Sequence, residues 1–150
     1  MECKDDRDPK KIAVSFKFKV IIDQFASKLN NQQQQDDITF SQMAIIGYLA
    51  HCTDHDVTLK ELSQACHIKH PTAIGLINRL EDKGMVVSSV NEANRKYRII
   101  SITDKGLDYF EFSKKRLDNM NSALLSPLSE EEQKMLSEML DRIIENMASI

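Results

Sequence analysis

The chain has 150 residues, 41% of them apolar, with four Gly, three Pro and no Trp, which fits one compact domain or a small core with helical extensions. Its 20 Lys and Arg against 23 Asp and Glu give a formal charge of -3, which excludes a uniformly basic, histone-like nucleic-acid binder but not a local basic face. Its apolar runs are only a few residues long, whereas a membrane-spanning helix needs roughly 20. We therefore expect a soluble, unprocessed cytoplasmic protein that does not enter a membrane.

A long first helix is predicted over residues 12–29, where apolar side chains recur at three- and four-residue steps. The polar, Gln-rich residues 30–37 predict a solvated connector. Ser41 predicts the N-cap of a second helix, residues 42–51, which is followed by a polar turn. The side chains that this helix is expected to bury are Ile45, Ile46, Tyr48 and Leu49.

A capping box predicts the third helix. Thr58 is followed three residues later by Glu61, so that Thr58 accepts a hydrogen bond from the helix start and Glu61 reaches back. The helix is expected to open at Leu59. Its expected inward residues are Leu62, Ala65 and Cys66.

A fourth helix follows the short turn of residues 67–69. Pro71 suits its first turn, where a missing N–H has no cost, and the helix is expected to run to Lys83 and stop at Gly84. Two short helices joined by a tight turn form a helix-turn-helix, whose second helix normally enters DNA.

Residues 85–90 and 97–102 are rich in β-branched side chains and flank the polar residues 91–96, which predicts a β-hairpin. The predicted fold is therefore mainly α with a small β-hairpin wing, a winged helix-turn-helix. Thr103 is expected to cap a fifth helix, residues 104–122, and Pro127 to break the chain.

A last helix is predicted by the capping box of Ser129 and Glu132. Its apolar stripe consists of Met135, Leu136, Met139, Leu140, Ile143, Ile144 and Met147. Three parts are expected: a tail, dimerisation helix and connector at 1–37, a DNA-binding domain at 38–106, and dimerisation helices at 107–150. The flanking helices carry more apolar side chains than a local core can cover, which predicts a homodimer.

Charge is unevenly distributed along the chain. Residues 57–106 contain eight basic and five acidic side chains, a charge of +3, whereas the remainder contains 12 basic and 18 acidic side chains, a charge of -6. A local positive charge is what DNA binding requires.

Helical geometry divides the fourth helix into an inward face with Ala73, Ile77 and Leu80 and an outward face. The residues of the outward face are Thr72, Gly75, Leu76, Arg79 and Lys83. Arg95 and Lys96, at the predicted hairpin tip, are long enough to reach a minor groove or its phosphates. The candidate DNA-contacting residues are Lys69, His70, Thr72, Gly75, Leu76, Arg79, Lys83, Arg95 and Lys96.

Five of these candidates have structural alternatives. Leu76 could pack against the hairpin instead of touching a thymine methyl, and Arg79 could pair with Glu81 or Asp82 or be a solvated side chain. His70 could simply end the turn before Pro71. Arg95 and Lys96 could be a surface pair without a role.

Four motifs resemble the MarR family of bacterial transcription regulators, by motif over residues 38–110 and by helix order over the whole chain. They are Leu59-x-x-Leu62, His70-Pro71-Thr72-x-x-Gly75-x-x-x-Arg79-Leu80-Glu81-x-x-Gly84, Asn94-Arg95-Lys96 and Ile102-Thr103-x-x-Gly106. The family usually has Asp where this chain has Asn94, which keeps a hydrogen-bond acceptor but loses a charge that would hold a neighbouring Arg.

This resemblance implies a homodimer with intertwined first and last helices, which grips double-stranded DNA at an inverted-repeat operator and represses transcription. It also implies release of the DNA by a small aromatic effector or by cysteine oxidation. The family's redox members carry their cysteine in the first helix. Cys3, Cys52 and Cys66 lack scaffold spacing or CxxC pairs and are expected to be reduced, with Cys52 and Cys66 buried and inert.

Rival functions are a metal-sensing regulator and a winged helix that binds protein instead of DNA. The metal alternative rests on His51 and His55, four residues apart, with Cys52, Asp54 and Asp56 beside them. The expected turn near Thr53 spoils that geometry, so no metal ligand is predicted. No Gly-rich phosphate loop, GxSxG or HExxH motif is present, and neither an enzyme nor a cofactor is expected.

Overall fold

The computed structural model describes residues 13–31 and 37–150. The expectations for Cys3, for the remainder of residues 1–12 and for residues 32–36 lie outside this part of the chain. The elements in chain order are α1 (Val14–Asn31), α2 (Phe40–His51), β1 (Val57–Thr58), α3 (Leu59–Ala65), α4 (His70–Asp82), β2 (Val86–Val90), β3 (Arg98–Ile102), α5 (Asp104–Leu125) and α6 (Glu130–Ser149).

A winged helix-turn-helix forms the centre of the chain, which confirms the predicted fold class. The strands form an antiparallel sheet in the order β1-β3-β2. In its register Val57 lies opposite Ile100, and Val90 lies opposite Arg98 at the end of the hairpin. We did not predict β1, because its two residues are too short for an alternating pattern.

The core of the winged helix joins α2, α3, α4 and the sheet. Its fully buried side chains include Ile45, Ile46, Leu62, Ile77, Leu80, Met85, Val86 and Ile100. α1 adds Phe25 and Leu29 to the buried set, and Phe25 meets Phe40 edge to face with ring centroids 5.5 Å apart. The inward stripe predicted for the first helix is thus buried only near its C-terminal end.

The predicted cap of α2 was wrong. Thr39, not Ser41, is the N-cap: its hydroxyl accepts the Gln42 N–H at 3.3 Å, and the Gln42 side-chain oxygen accepts the Thr39 N–H at 3.0 Å. The reason is that Gln42 stands three residues after Thr39 and completes a capping box there. Tyr48, predicted to be buried, is half-buried.

The capping box predicted for α3 is only half formed. The Thr58 hydroxyl accepts the Glu61 N–H at 3.2 Å, but the Glu61 carboxylate turns instead to Tyr48 and His55. Ala65, predicted to face inward, is exposed. The buried positions of α3 are Leu59, Leu62 and Ser63, a spacing that places Ala65 on the opposite side of the helix.

The described residues through Lys114 form one compact unit, and Lys115–Ile150 forms a second. In the second unit, both hydrogen bonds of the predicted capping box of Ser129 and Glu132 are present. The Gln133 amide donates to the carbonyls of Leu125 and Leu128, which closes the turn between the helices. No residue of α6 is buried. The domain boundaries derived above stay a prediction.

Along residues 13–31 and 37–150, no helix combines the length and the apolar character needed to cross a membrane.

Candidate nucleic-acid interface

α4 has one buried face and one open face. Ala73, Ile77 and Leu80 are 0% exposed, as predicted, whereas Thr72 and Arg79 are exposed. A Cβ atom added to Gly75 would meet nothing within 4 Å. No side chain therefore covers the helix backbone at Gly75, which allows another molecule to approach that backbone closely.

Both helices of the helix-turn-helix end in the same way. His67 and Gly84 follow α3 and α4 with left-handed backbone angles, φ 52° and φ 71°. At each end, the N–H groups of this residue and the next donate to carbonyls three and five residues earlier, at 2.8–3.1 Å. This Schellman pattern fixes the turn before α4 and stops α4 at Gly84, the position predicted from sequence.

Leu76 does not lie on the outward face, so its predicted placement was wrong. It is 8% exposed, because a leucine side chain at this position gains more from the core beside it than from solvent. The packing alternative is thereby favoured over contact with a thymine methyl.

Lys83 was also predicted to face outward, but it is half-buried and turns towards α2. Its ammonium group donates to the Asp37 carbonyl and lies 3.4 Å from the Gln42 side-chain oxygen. Lys105 in turn donates to the Lys83 carbonyl at 2.8 Å, at the C-terminal end of α4. Lys83 thus connects the end of α4 to the capping box of α2.

The wing comprises β2, β3 and the loop between them. In that loop the Asn91 side-chain oxygen accepts the N–H groups two and three residues later, at 2.8 and 3.3 Å. The Asn94 side-chain oxygen accepts the Lys96 N–H at 3.2 Å, so the acceptor that distinguishes Asn94 from an apolar residue is used. These bonds give the loop a defined shape, with Arg95 and Lys96 exposed at its tip.

Several of the predicted contact residues are exposed and form no side-chain hydrogen bond or ion pair within the described part of the chain. They are Lys69, His70, Thr72, Arg79, Arg95 and Lys96. For Arg79 this removes the alternative of pairing with Glu81 or Asp82. Four cationic side chains on α4, its N-cap and the wing are therefore available to an anionic partner.

Glu81, on the last turn of α4, contacts both strands of the wing. One carboxylate oxygen accepts the Ser88 N–H at 2.7 Å and the Ser88 hydroxyl, and the other pairs with Arg98 at 2.7 Å. These groups lower the pKa of Glu81, chiefly through the Ser88 hydroxyl. We did not predict this link. The sequence does contain a signal for it, because polar Ser88 interrupts a valine-rich strand and Arg98 begins the next strand.

Comparisons with known proteins agree with this architecture. Residues 36–96 match the model of the MarR family. The resemblance to the MarR family is thereby confirmed over 61 of the 150 residues. The chain is 25% identical over 113 residues to the uncharacterized HTH-type transcriptional regulator YdgJ of Bacillus subtilis, and the aligned segment covers 75% of this chain and 68% of YdgJ.

Solved structures of MarR-family and related regulators have the same fold. The MepR–DNA complex of Staphylococcus aureus superposes with a TM-score of 0.84 at 26% identity, covering 91% of this chain and 99% of MepR. A probable transcriptional regulator from Pseudomonas aeruginosa superposes with a TM-score of 0.77 at 21% identity. The superposition covers 87% of this chain and 96% of the Pseudomonas chain.

The two histidines of the metal alternative, His51 and His55, have different partners. The His51 Nδ1 contacts the Gly47 carbonyl at 2.7 Å, and its ring packs edge to face on Phe110. The His55 ring lies between two carboxylates, 2.8 Å from Asp54 and 2.6 Å from Glu61. Within residues 13–31 and 37–150, no group of three or more His, Cys, Asp and Glu side chains is arranged to hold a metal ion.

Cys52 and Cys66 are free thiols, and both are half-buried. Burial raises the pKa of Cys66, which lowers its thiolate fraction near neutral pH. The raised pKa favours an inert Cys66 over a redox-sensing one.

Proposed function

We propose that this chain is a transcription regulator that binds double-stranded DNA as a homodimer at an inverted-repeat operator and represses transcription. The observation that carries the proposal is the set of exposed cations on α4, its N-cap and the wing tip that form no hydrogen bond or ion pair with residues 13–31 and 37–150. In this proposal α4 is the recognition helix, and Arg95 and Lys96 reach the adjacent minor groove or its phosphates.

The contacts proposed for the recognition helix follow from its geometry. Lys69 and His70 are exposed where the helix starts, Thr72 and Arg79 lie on the outward face, and Gly75 lets the backbone approach base edges. An arginine here can contact guanine with two hydrogen bonds or position the duplex through a phosphate. MepR, 26% identical to this chain, has been solved in complex with DNA, which supports this mode of binding.

The homodimer is supported by apolar surface outside the winged helix. On α1, Phe16 is 52% exposed and Ile22 is also exposed; on α6, Met139 is 47% exposed and Ile143 and Met147 are exposed as well. Two recognition helices related by a twofold axis would lie about 34 Å apart, one turn of DNA. A small aromatic effector that releases the DNA completes the proposal, on the strength of the family resemblance alone.

Selection of bound duplexes from a random DNA pool tests this proposal most directly. We expect a recovered inverted repeat whose half-sites are about 10 base pairs apart, centre to centre. Affinity for that duplex should fall steeply as salt rises, since the cations displace counterions from phosphates. Recovery of no sequence, or an affinity insensitive to salt, would favour the alternative of a protein-binding winged helix.

A further inference from the structure

We propose that Glu81 is a positioning residue: its carboxylate holds the wing at a fixed angle to the recognition helix, so that Arg95 meets DNA only while this link is intact. The proposal rests on the proposed DNA-binding function. It concerns a residue that faces the wing and not the open face of α4.

The link uses both carboxylate oxygens and reaches both strands. One oxygen accepts two hydrogen bonds from Ser88 in β2, and the other pairs with Arg98, the first residue of β3. The same Arg98 nitrogen lies 3.3 Å from the Asn78 side-chain oxygen, one turn earlier on α4. Two side chains of one helix face thus contact the hairpin where its loop begins.

The hairpin needs such a link because little else supports its outer end. β2 is an edge strand, and β1 pairs only with Ile99 and Ile100 of β3. Beyond Ile99, the Val90–Arg98 pair and the loop of residues 91–97 extend away without a third strand, and an isolated hairpin is marginally stable in water. Arg98, the partner of Glu81, lies three positions along the chain from Arg95.

The decisive variants are Glu81→Gln and a matched control, Asp82→Asn. Both remove one negative charge from the end of α4 with little change in size, but Asp82 is exposed and its side chain forms no hydrogen bond or ion pair within the described residues. Any gain in affinity from reduced repulsion of DNA is therefore shared by the two variants. The difference between them measures the link.

Affinity for the selected duplex should fall roughly tenfold with Glu81→Gln and should not fall with Asp82→Asn. Alanine substitution of Arg95 should cost about 5- to 150-fold in the wild-type background but less than about threefold in the Glu81→Gln background. Alanine substitution of Arg79 should cost the same factor in both backgrounds. Equal losses for Arg95→Ala in the two backgrounds would overturn the proposal.

Hydrogen exchange of the DNA-free protein gives a second measurement that does not depend on the proposed function. Backbone amides of residues 86–98 should exchange faster in Glu81→Gln than in Asp82→Asn, with the amides of α2 and α3 unchanged. Unchanged exchange in the wing would overturn the positioning role. If the wild-type chain binds no duplex but the wing exchanges faster, the proposed function fails while the structural link stands.

Discussion

The winged helix and the helices that flank it place apolar and charged side chains in opposite ways. In the winged helix, Ile45 and Ile77 are fully buried, while Arg79 and Arg95 are exposed without a partner in the described chain. On α6, no residue is buried, and Ile143 belongs to a row of exposed apolar side chains. The winged helix therefore buries its core side chains and presents cations, although Val87, Val90 and Tyr97 of its wing are exposed. On α6, the apolar side chains of a whole row are exposed.

This difference assigns different partners to the two regions. Exposed cations favour a polyanion, and a continuous apolar stripe favours a second protein surface. The formal charge of -3 conceals this division, because it combines +3 on residues 57–106 with -6 on the rest. Substitutions that affect one region and spare the other test the comparison.

The largest effect is expected from Gly106→Ala in the winged helix. An added Cβ would lie 2.1 Å from the Met85 carbonyl oxygen and 2.9 Å from the Ile102 side chain. We expect a loss of at least about 3 kcal/mol in the free energy of unfolding, measured by urea denaturation at fixed protein concentration. Gly75→Ala is the control: it meets nothing and should leave stability equal or higher. Equal stability of the two variants would contradict the packing described around Gly106.

A second substitution, Ile143→Glu, should separate the two regions. A carboxylate in the centre of the apolar stripe of α6 should weaken dimerisation by about 100-fold or more, measured by sedimentation across a concentration series. The urea midpoint of the isolated monomer need not change, since Ile143 is exposed. Ser149→Glu adds the same charge to the same helix away from the stripe and should leave dimerisation intact. A wild-type chain that sediments as a monomer at micromolar concentration would contradict the dimer.

For the wing, Arg95→Ala should weaken binding of the selected duplex by about 1–3 kcal/mol and leave stability unchanged. Arg95 is exposed and makes no side-chain contact in the described chain, so only binding should respond. A gel-shift titration at fixed salt measures the effect. Arg142→Ala, on α6, is the control for loss of one positive charge. Unchanged affinity of Arg95→Ala would remove the wing tip from the interface.

The smallest effect concerns pH and the His55 cluster. Hydrogen bonds to Glu61 and Asp54 raise the pKa of His55, so its stabilising charge is fully present below the unfolded pKa of about 6.5 and is lost as pH rises through the folded value. The same pairing lowers the pKa of both carboxyls, whose contribution is lost on acidification. His55→Gln should therefore flatten the decline in melting temperature above pH 6.5. His70→Gln, which removes a histidine without a side-chain partner, should keep that decline.

Local signals in the sequence predicted most of the winged helix. Thr58, Pro71 and Gly84 each specify a helix end through their own backbone or side-chain chemistry, and the structure contains all three ends. The cap at Thr39 was also visible, because Gln42 stands at capping-box spacing from it. The choice of Ser41 overlooked the second half of that motif.

Contacts between distant residues could not be predicted in this way. Helical periodicity places Leu76 on the outward face of α4, yet the neighbouring core buries its side chain. The links from Glu81 to Arg98 and from Lys83 to Asp37 join residues 17 and 46 positions apart, and periodicity carries no information at that separation. For six of the nine candidate contact residues, the structure shows an exposed side chain with no hydrogen bond or ion pair within the described residues, and DNA contact itself stays a prediction.

Gly75 has a consequence for how the free protein and the complex differ. A glycine inside a helix lowers stability by about 1 kcal/mol relative to alanine, and neither a left-handed backbone angle nor a crowded neighbour requires one here. Gly75 is therefore a point of local frustration: the sequence departs from what the isolated fold favours. Such departures are expected at functional sites, where a conflict within one molecule is resolved by a second. We therefore predict that Gly75 suits the surface of a bound partner better than it suits the isolated fold.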